Sequence, residues 1–175
     1  IQRQQFESAQ ALDPSLTVSG TTITTATGSR FLIEGVNVEY YRDAGCRYVT
    51  DQTTLQKTAV VNKIKSLGVN AVRLNYYAPW LDDGTNLNDF LSLMQLFAQN
   101  GIYSMPSDHA FTGKALSGYQ TTSFPMFKAI VEGARARGIE SYLIMKPYNE
   151  PYGQDQTQST WTNWITANKT TMDYL

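Results

Sequence analysis

Leu67-Gly68-Val69-Asn70-Ala71-Val72-Arg73-Leu74 ends a helix on a glycine and begins a short apolar strand at the next residue. Glycine stops helices because it takes the left-handed backbone conformation that side chains disfavour. The same punctuation returns twice: Asn100-Gly101 precedes Ile102-Tyr103-Ser104-Met105, and Gly138 precedes Tyr142-Leu143-Ile144-Met145. A helical pattern runs into each stop. Thr54 to Leu67, with Asp51 as a plausible N-cap, carries Leu55, Ala59, Val60, Ile64 and Leu67 on one face. Asn88 or Asp89 starts a helix whose apolar stripe runs from Phe90 to Ala98. Thr122 or Ser123, with Pro125 in the first turn, opens another through Ala136. Upstream, Phe31 to Val38 is apolar on both faces, as a buried parallel strand should be. Strand and helix alternate throughout, so the fold class is α/β, with right-handed crossovers building a parallel sheet.

The ends read differently. Residues 1–14 are polar and aperiodic, a linker or arm, leaving 15–175 as one domain. From Leu16, short β-branched runs broken by Ser19-Gly20 and Gly28-Ser29 predict a hairpin. Beyond Pro151 a last helix begins near Ser159 or Thr160. Trp161 and Trp164 fall there at helical spacing and are read as packing residues, and the helix reaches Leu175 without a stop signal.

A net charge of −1 and a pI near 5.8 provide no basic surface for nucleic acid, whereas neutral polysaccharides stay open as partners. No apolar run reaches the length of a membrane span. Cys46 is the only cysteine and cannot form an internal disulfide. His109 is the only histidine, so a zinc site of the usual kind lacks a second imidazole. No glycine-rich phosphate-binding motif follows any strand, and no cofactor is expected.

Two architectures fit this order: an open doubly wound sheet and part of an eight-stranded barrel. The missing nucleotide fingerprint argues against the first. Polar residues gather instead at the C-terminal ends of successive strands: Asn37 and Glu39, Arg73 and Asn75, Asp108 and His109, Asn149 and Glu150. In a barrel those ends share one rim, where barrel enzymes carry their sites.

Gly35-Val36-Asn37, Gly68-Val69-Asn70-Ala71-Val72-Arg73, Asp108-His109 and Asn149-Glu150-Pro151, each ending a strand in that order, resemble the family 5 glycoside hydrolases and their clan. The resemblance runs from about Leu16 to Trp164. It implies a (β/α)8 TIM barrel of which this chain holds the first four strand-helix units, incomplete, after a hairpin like the one closing the bottom of those barrels. It also implies cleavage of β-linked polysaccharide by two carboxylates with retention at the anomeric carbon. Glu150 takes the acid/base role, and Asn149 the hydrogen bond to the sugar 2-hydroxyl. Arg73 orients the nucleophile, and His109 donates to a sugar hydroxyl. Asn37, Tyr40, Tyr76, Tyr77, Trp80 and Asp108 become candidate substrate contacts, the rings offering flat apolar faces to sugar C–H groups. Many relatives carry Asp two positions before this histidine, where Ser107 stands here.

The nucleophile belongs to the seventh strand of such barrels, which this chain does not contain. The chain alone is therefore expected neither to hydrolyse glycosides nor to close a barrel. The missing half, or another protein chain, should cover its open edges. The competing readings are a carbohydrate-binding or structural module derived from such an enzyme, as in a virus tail, and, ranked last, an open-sheet binding protein. The expected setting is secreted, extracellular or on a virion surface.

Overall fold

The computed structural model describes residues 13–40, 54–81, 84–109 and 122–146, with single positions 162, 166 and 169 in helical backbone. The first twelve residues of the 1–14 arm, the Asp51 cap, Asn149, Glu150, Trp161 and Trp164 lie outside the described residues. The chain divides into two compact units, Ile1–Leu32 and Ile33–Leu175.

In the first unit, β1 (Leu16–Ser19) and β2 (Thr22–Thr25) form the expected antiparallel hairpin. The chain then doubles back. Arg30 bridges Thr24, and the Phe31 amide donates to the Ile23 carbonyl at 2.8 Å. Phe31 therefore belongs to the hairpin, and Leu32 and Ile33 are exposed. This corrects the start of the first core strand from Phe31 to Gly35, because the β-branched run is shared between two units.

In the second unit, β3 (Gly35–Glu39), β4 (Ala71–Tyr76) and β5 (Tyr103–Asp108) form a parallel sheet in sequence order. Helices α1 (Thr54–Ser66) and α3 (Thr85–Gln99) lie in the connections between them, and α4 (Phe124–Ala136) follows β5. Gly68, Gly101 and Gly138 all have positive φ at 75°, 72° and 64°, as their stop role requires. A Cβ on Gly35 would stand 2.7 Å from the Ala71 carbonyl oxygen, so only glycine lets β3 enter this close to β4.

Three expectations change. The strand expected over Tyr142–Met145 is reduced to one bridge, Leu143 to Ser104, after a 3-10 turn over Glu140–Tyr142. In α1 the buried positions are Lys57, Val61 and Ile64, while Leu55, and Leu67 just past its end, are 80 % and 57 % exposed. Helix α3 starts at Thr85, ahead of Asn88 and Asp89, and a short helix α2 (Ala78–Leu81) was not foreseen.

The α1 correction has a charge as its cause. Lys57 is buried and pairs with Asp89 of α3, which also accepts a hydrogen bond from the Tyr40 hydroxyl at 2.6 Å. Asp89 thus ties the residue following β3 to both helices. The Lys57 side chain is 6 % exposed and that of Asp89 37 %, so the partners are not equivalent. Asp89→Ala strands a buried ammonium and is expected to cost about 3 kcal/mol. Lys57→Met keeps an apolar stem of similar shape and leaves Asp89 wet and still bonded to Tyr40, for a cost of about 1 kcal/mol or less. Urea midpoints of the two variants check this, and equal losses would show that the asymmetry of burial does not matter.

The core lies between one face of the sheet and helices α3 and α4, with Leu74, Phe90, Leu93, Phe97 and Ile130 fully buried. A Cβ on Gly133 of α4 would overlap Leu91, which is why the two helices pack so closely.

Candidate active site

Side chains alternate between the two faces of a strand, and register partners on parallel neighbours share a face. Pairing of Val38 with Leu74 and of Tyr76 with Asp108 puts those side chains with the helices. Pairing of Asn37 with Arg73 and of Glu39 with Asn75 and Ser107 puts those on the opposite face, the interior side in a barrel. His109, whose amide continues the ladder to the Tyr76 carbonyl at 2.8 Å, joins the second set.

This sorting corrects three of the expected substrate contacts. Tyr40 and Tyr76 are fully buried on the helix side, their rings 4.9 Å and 5.5 Å from that of Phe90. Asp108 is buried there too. Its carboxylate accepts the Ala78 amide at 3.0 Å, which anchors the start of α2, and the Ser123 hydroxyl at the start of α4. These three residues are braces of the fold, out of phase with the polar face by one residue. Trp80 sits in α2, partly buried, with its ring 5.8 Å from that of Tyr40. Tyr77, just after β4, is 37 % exposed, and Asn37 is exposed.

On the polar face the structure brings Arg73, Ser107, His109 and Lys146 together. Arg73 Nη2 donates to Ser107 Oγ at 3.1 Å and lies 3.3 Å from His109 Nε2. Lys146 Nζ donates to the same Ser107 oxygen at 3.0 Å. Since both cations lie within hydrogen-bond reach of one oxygen, they are no more than about 6 Å apart, where like charges repel by roughly 3 kcal/mol at an effective dielectric near 20. Compensating negative charge is required. Glu39 supplies some: its Oε1 accepts the Asn75 amide at 2.5 Å, and its buried Oε2 has no hydrogen-bond donor among the described residues. Asn75 is itself almost fully buried.

Burial is the chief reason that His109 titrates below the ordinary histidine value of 6.5, with the Arg73 guanidinium next and Lys146 adding to it, against the opposing charges of Glu39 and Asp108. A neutral imidazole that accepts at Nε2 from Arg73 carries its proton on Nδ1. No group of three or more His, Cys, Asp or Glu side chains that could hold a metal converges among the described residues.

Sequence reasoning singled out Arg73 and His109, which the structure brings together, and noted Glu39 near the rim. It did not single out Lys146 and gave Ser107 no role. For Ser107 the signal was available: counting by twos from His109 back along β5 leads to it, as counting from Arg73 along β4 leads to Asn75.

Residues 24–175 match the sequence model of the family described as Cellulase (glycosyl hydrolase family 5). No curated protein sequence matches the chain. Among solved structures, the β-mannanase from Thermomonospora fusca superposes with a TM-score of 0.66 at 25% identity, over 92% of this chain and 49% of its own. The mannohexaose complex of that β-mannanase gives 0.65 at 25% identity, over 92% and 50%. The catalytic domain of a mannanase from Streptomyces sp. SirexAA-E gives 0.66 at 17% identity, over 99% and 51%, a likeness of fold. The chain thus spans about half the length of these structures, consistent with the first part of a (β/α)8 barrel.

Proposed function

Because the chain belongs to glycosyl hydrolase family 5, we propose that it forms the N-terminal half, over residues 15–175, of an enzyme that hydrolyses O-glycosidic bonds in a β-linked polysaccharide with retention. The observation that carries this reading is the family match combined with a polar strand-end face holding Arg73, Ser107 and His109. A helix-packed sheet alone would need no such face.

In this reading Glu150 protonates the departing oxygen, and Asn149 bonds the sugar 2-hydroxyl as the oxocarbenium-like transition state develops. Arg73 holds the nucleophilic carboxylate contributed by the rest of the barrel, by charge-assisted hydrogen bonds. His109, neutral, donates from Nδ1 to substrate. Asn37, Tyr77 and Trp80 remain the candidate sugar contacts. β-Mannan is the first polymer to try, since mannohexaose is bound by a β-mannanase at 25% identity. A polymeric substrate places the enzyme outside the cell.

The test is incubation of the complete protein with β-mannan and β-glucan, following reducing ends and the anomer first released by NMR. The β-anomer appearing first is expected. Release of the α-anomer first would exclude retention, and binding without release from either polymer would favour a carbohydrate-binding module.

A further inference from the structure

Lys146 lies just ahead of Glu150 in the chain and has no part in the reaction as described so far. We propose that Lys146 is a positioning residue of this site, its ammonium holding Ser107 and, through Ser107, the guanidinium of Arg73 in place beside the His109 imidazole. The kinetic part of this inference rests on the glycosidase reading, whereas the geometric part does not.

A serine hydroxyl has two lone pairs and one hydrogen. Lys146 Nζ at 3.0 Å and Arg73 Nη2 at 3.1 Å occupy both lone pairs of Ser107 Oγ, and Ser107 is fully buried. The oxygen is therefore fixed by two charged donors, one from β4 and one from the segment bridged to β5, and the serine cannot rotate without releasing one of them. Arg73 is located in turn by two neighbours on β5, Ser107 and His109. A lysine present for solubility alone would extend its ammonium to water. This one is only half-exposed, and its ammonium reaches a buried neutral oxygen.

The charges facing His109 come from every strand of the sheet: Glu39 from β3, Arg73 from β4, Asp108 from β5, and Lys146 from the segment bridged to β5. Removing Lys146 has two separable consequences. Ser107 loses one of its two donors, so Arg73 is held less firmly. The imidazole also loses one of the two cations that oppose its protonation.

The experiment uses the complete protein with Lys146→Met, Lys146→Arg and Ser107→Ala. The imidazole signal of His109 is assigned as the one lost in His109→Gln and followed by NMR against pH. Lys146→Met is expected to lower kcat on polysaccharide roughly 10- to 100-fold, the scale of a small misplacement in a catalytic site. KM should stay within about twofold, since ground-state binding is untouched. His109 and the acid limb of the kcat profile should both move to higher pH. Lys146→Arg should restore the parent titration and most of the turnover. Ser107→Ala keeps both charges but loosens Arg73, so it should lower kcat while His109 still titrates below the ordinary histidine value, and this arm decides the matter if Lys146→Met fails to fold. An unchanged His109 titration in Lys146→Met, or unchanged kcat in both Lys146→Met and Ser107→Ala, would overturn the proposal. Should the complete protein cleave no glycan, the glycosidase reading falls, and the titration alone still decides whether Lys146 acts on the Arg73–His109 pair.

Discussion

Glu150→Gln in the complete enzyme is expected to lower kcat/KM on the natural polysaccharide by roughly 10²–10⁴-fold, the value of a positioned general acid. The reason lies in the leaving group. A sugar alkoxide is a poor departing group and must be protonated as the glycosidic bond breaks. An acidic phenol departs unaided. With aryl glycosides of graded phenol acidity, kcat/KM reports the steps through first bond cleavage, so the loss should shrink steadily as the phenol becomes more acidic. Turnover of the best aryl substrates should instead become limited by hydrolysis of the glycosyl-enzyme, where the same carboxylate serves as base. Equal losses across the series would remove Glu150 from the acid role.

Arg73→Lys is expected to lower kcat roughly 10- to 100-fold, equivalent to losing a charge-assisted hydrogen bond worth about 1.5–3 kcal/mol. The substitution keeps the charge but discards the planar fork. In the structure a single nitrogen of that fork, Nη2, reaches both Ser107 and His109. A lysine ammonium in its place is a point donor, and it would leave the nucleophile's carboxylate without a paired edge. The fold should feel little, because the side chain lies on the polar face, away from the core against α3 and α4. A Tm change within about 4 °C is the expectation, a change of order 1 kcal/mol for a domain of this size. A much lower Tm with normal turnover by the folded fraction would make Arg73 a structural residue.

The two variants also separate sources of knowledge. Glu150 lies outside the described residues, so its role rests on its motif and family membership. Arg73 is supported by its motif and by its neighbours. Asp108 shows the hazard of motif reasoning alone. It adjoins His109 in the chain, yet consecutive strand residues face opposite ways, and its carboxylate braces α2 and α4. Tyr76 fails as a sugar platform for the same reason: it follows Asn75 of the polar face and so packs on Phe90.

What the sequence determined by itself was local. Glycine stops, apolar periods and strand-end polar residues are written in consecutive positions, and they sufficed for a parallel α/β fold and for singling out Arg73 and His109, which the structure brings together. The tertiary structure decided what depends on partners distant in the chain. Phe31 went to the hairpin because Ile23 offered its amide a carbonyl. Lys57 was buried because Asp89 stands opposite. The expected fourth strand came down to one bridge, between Leu143 and Ser104 of β5. Lys146 entered the site because Ser107, on another strand, presents its oxygen there. A residue's own type sets what bond it can make, but register and packing across the sheet set which partner it meets, and nothing in the neighbouring residues encodes that.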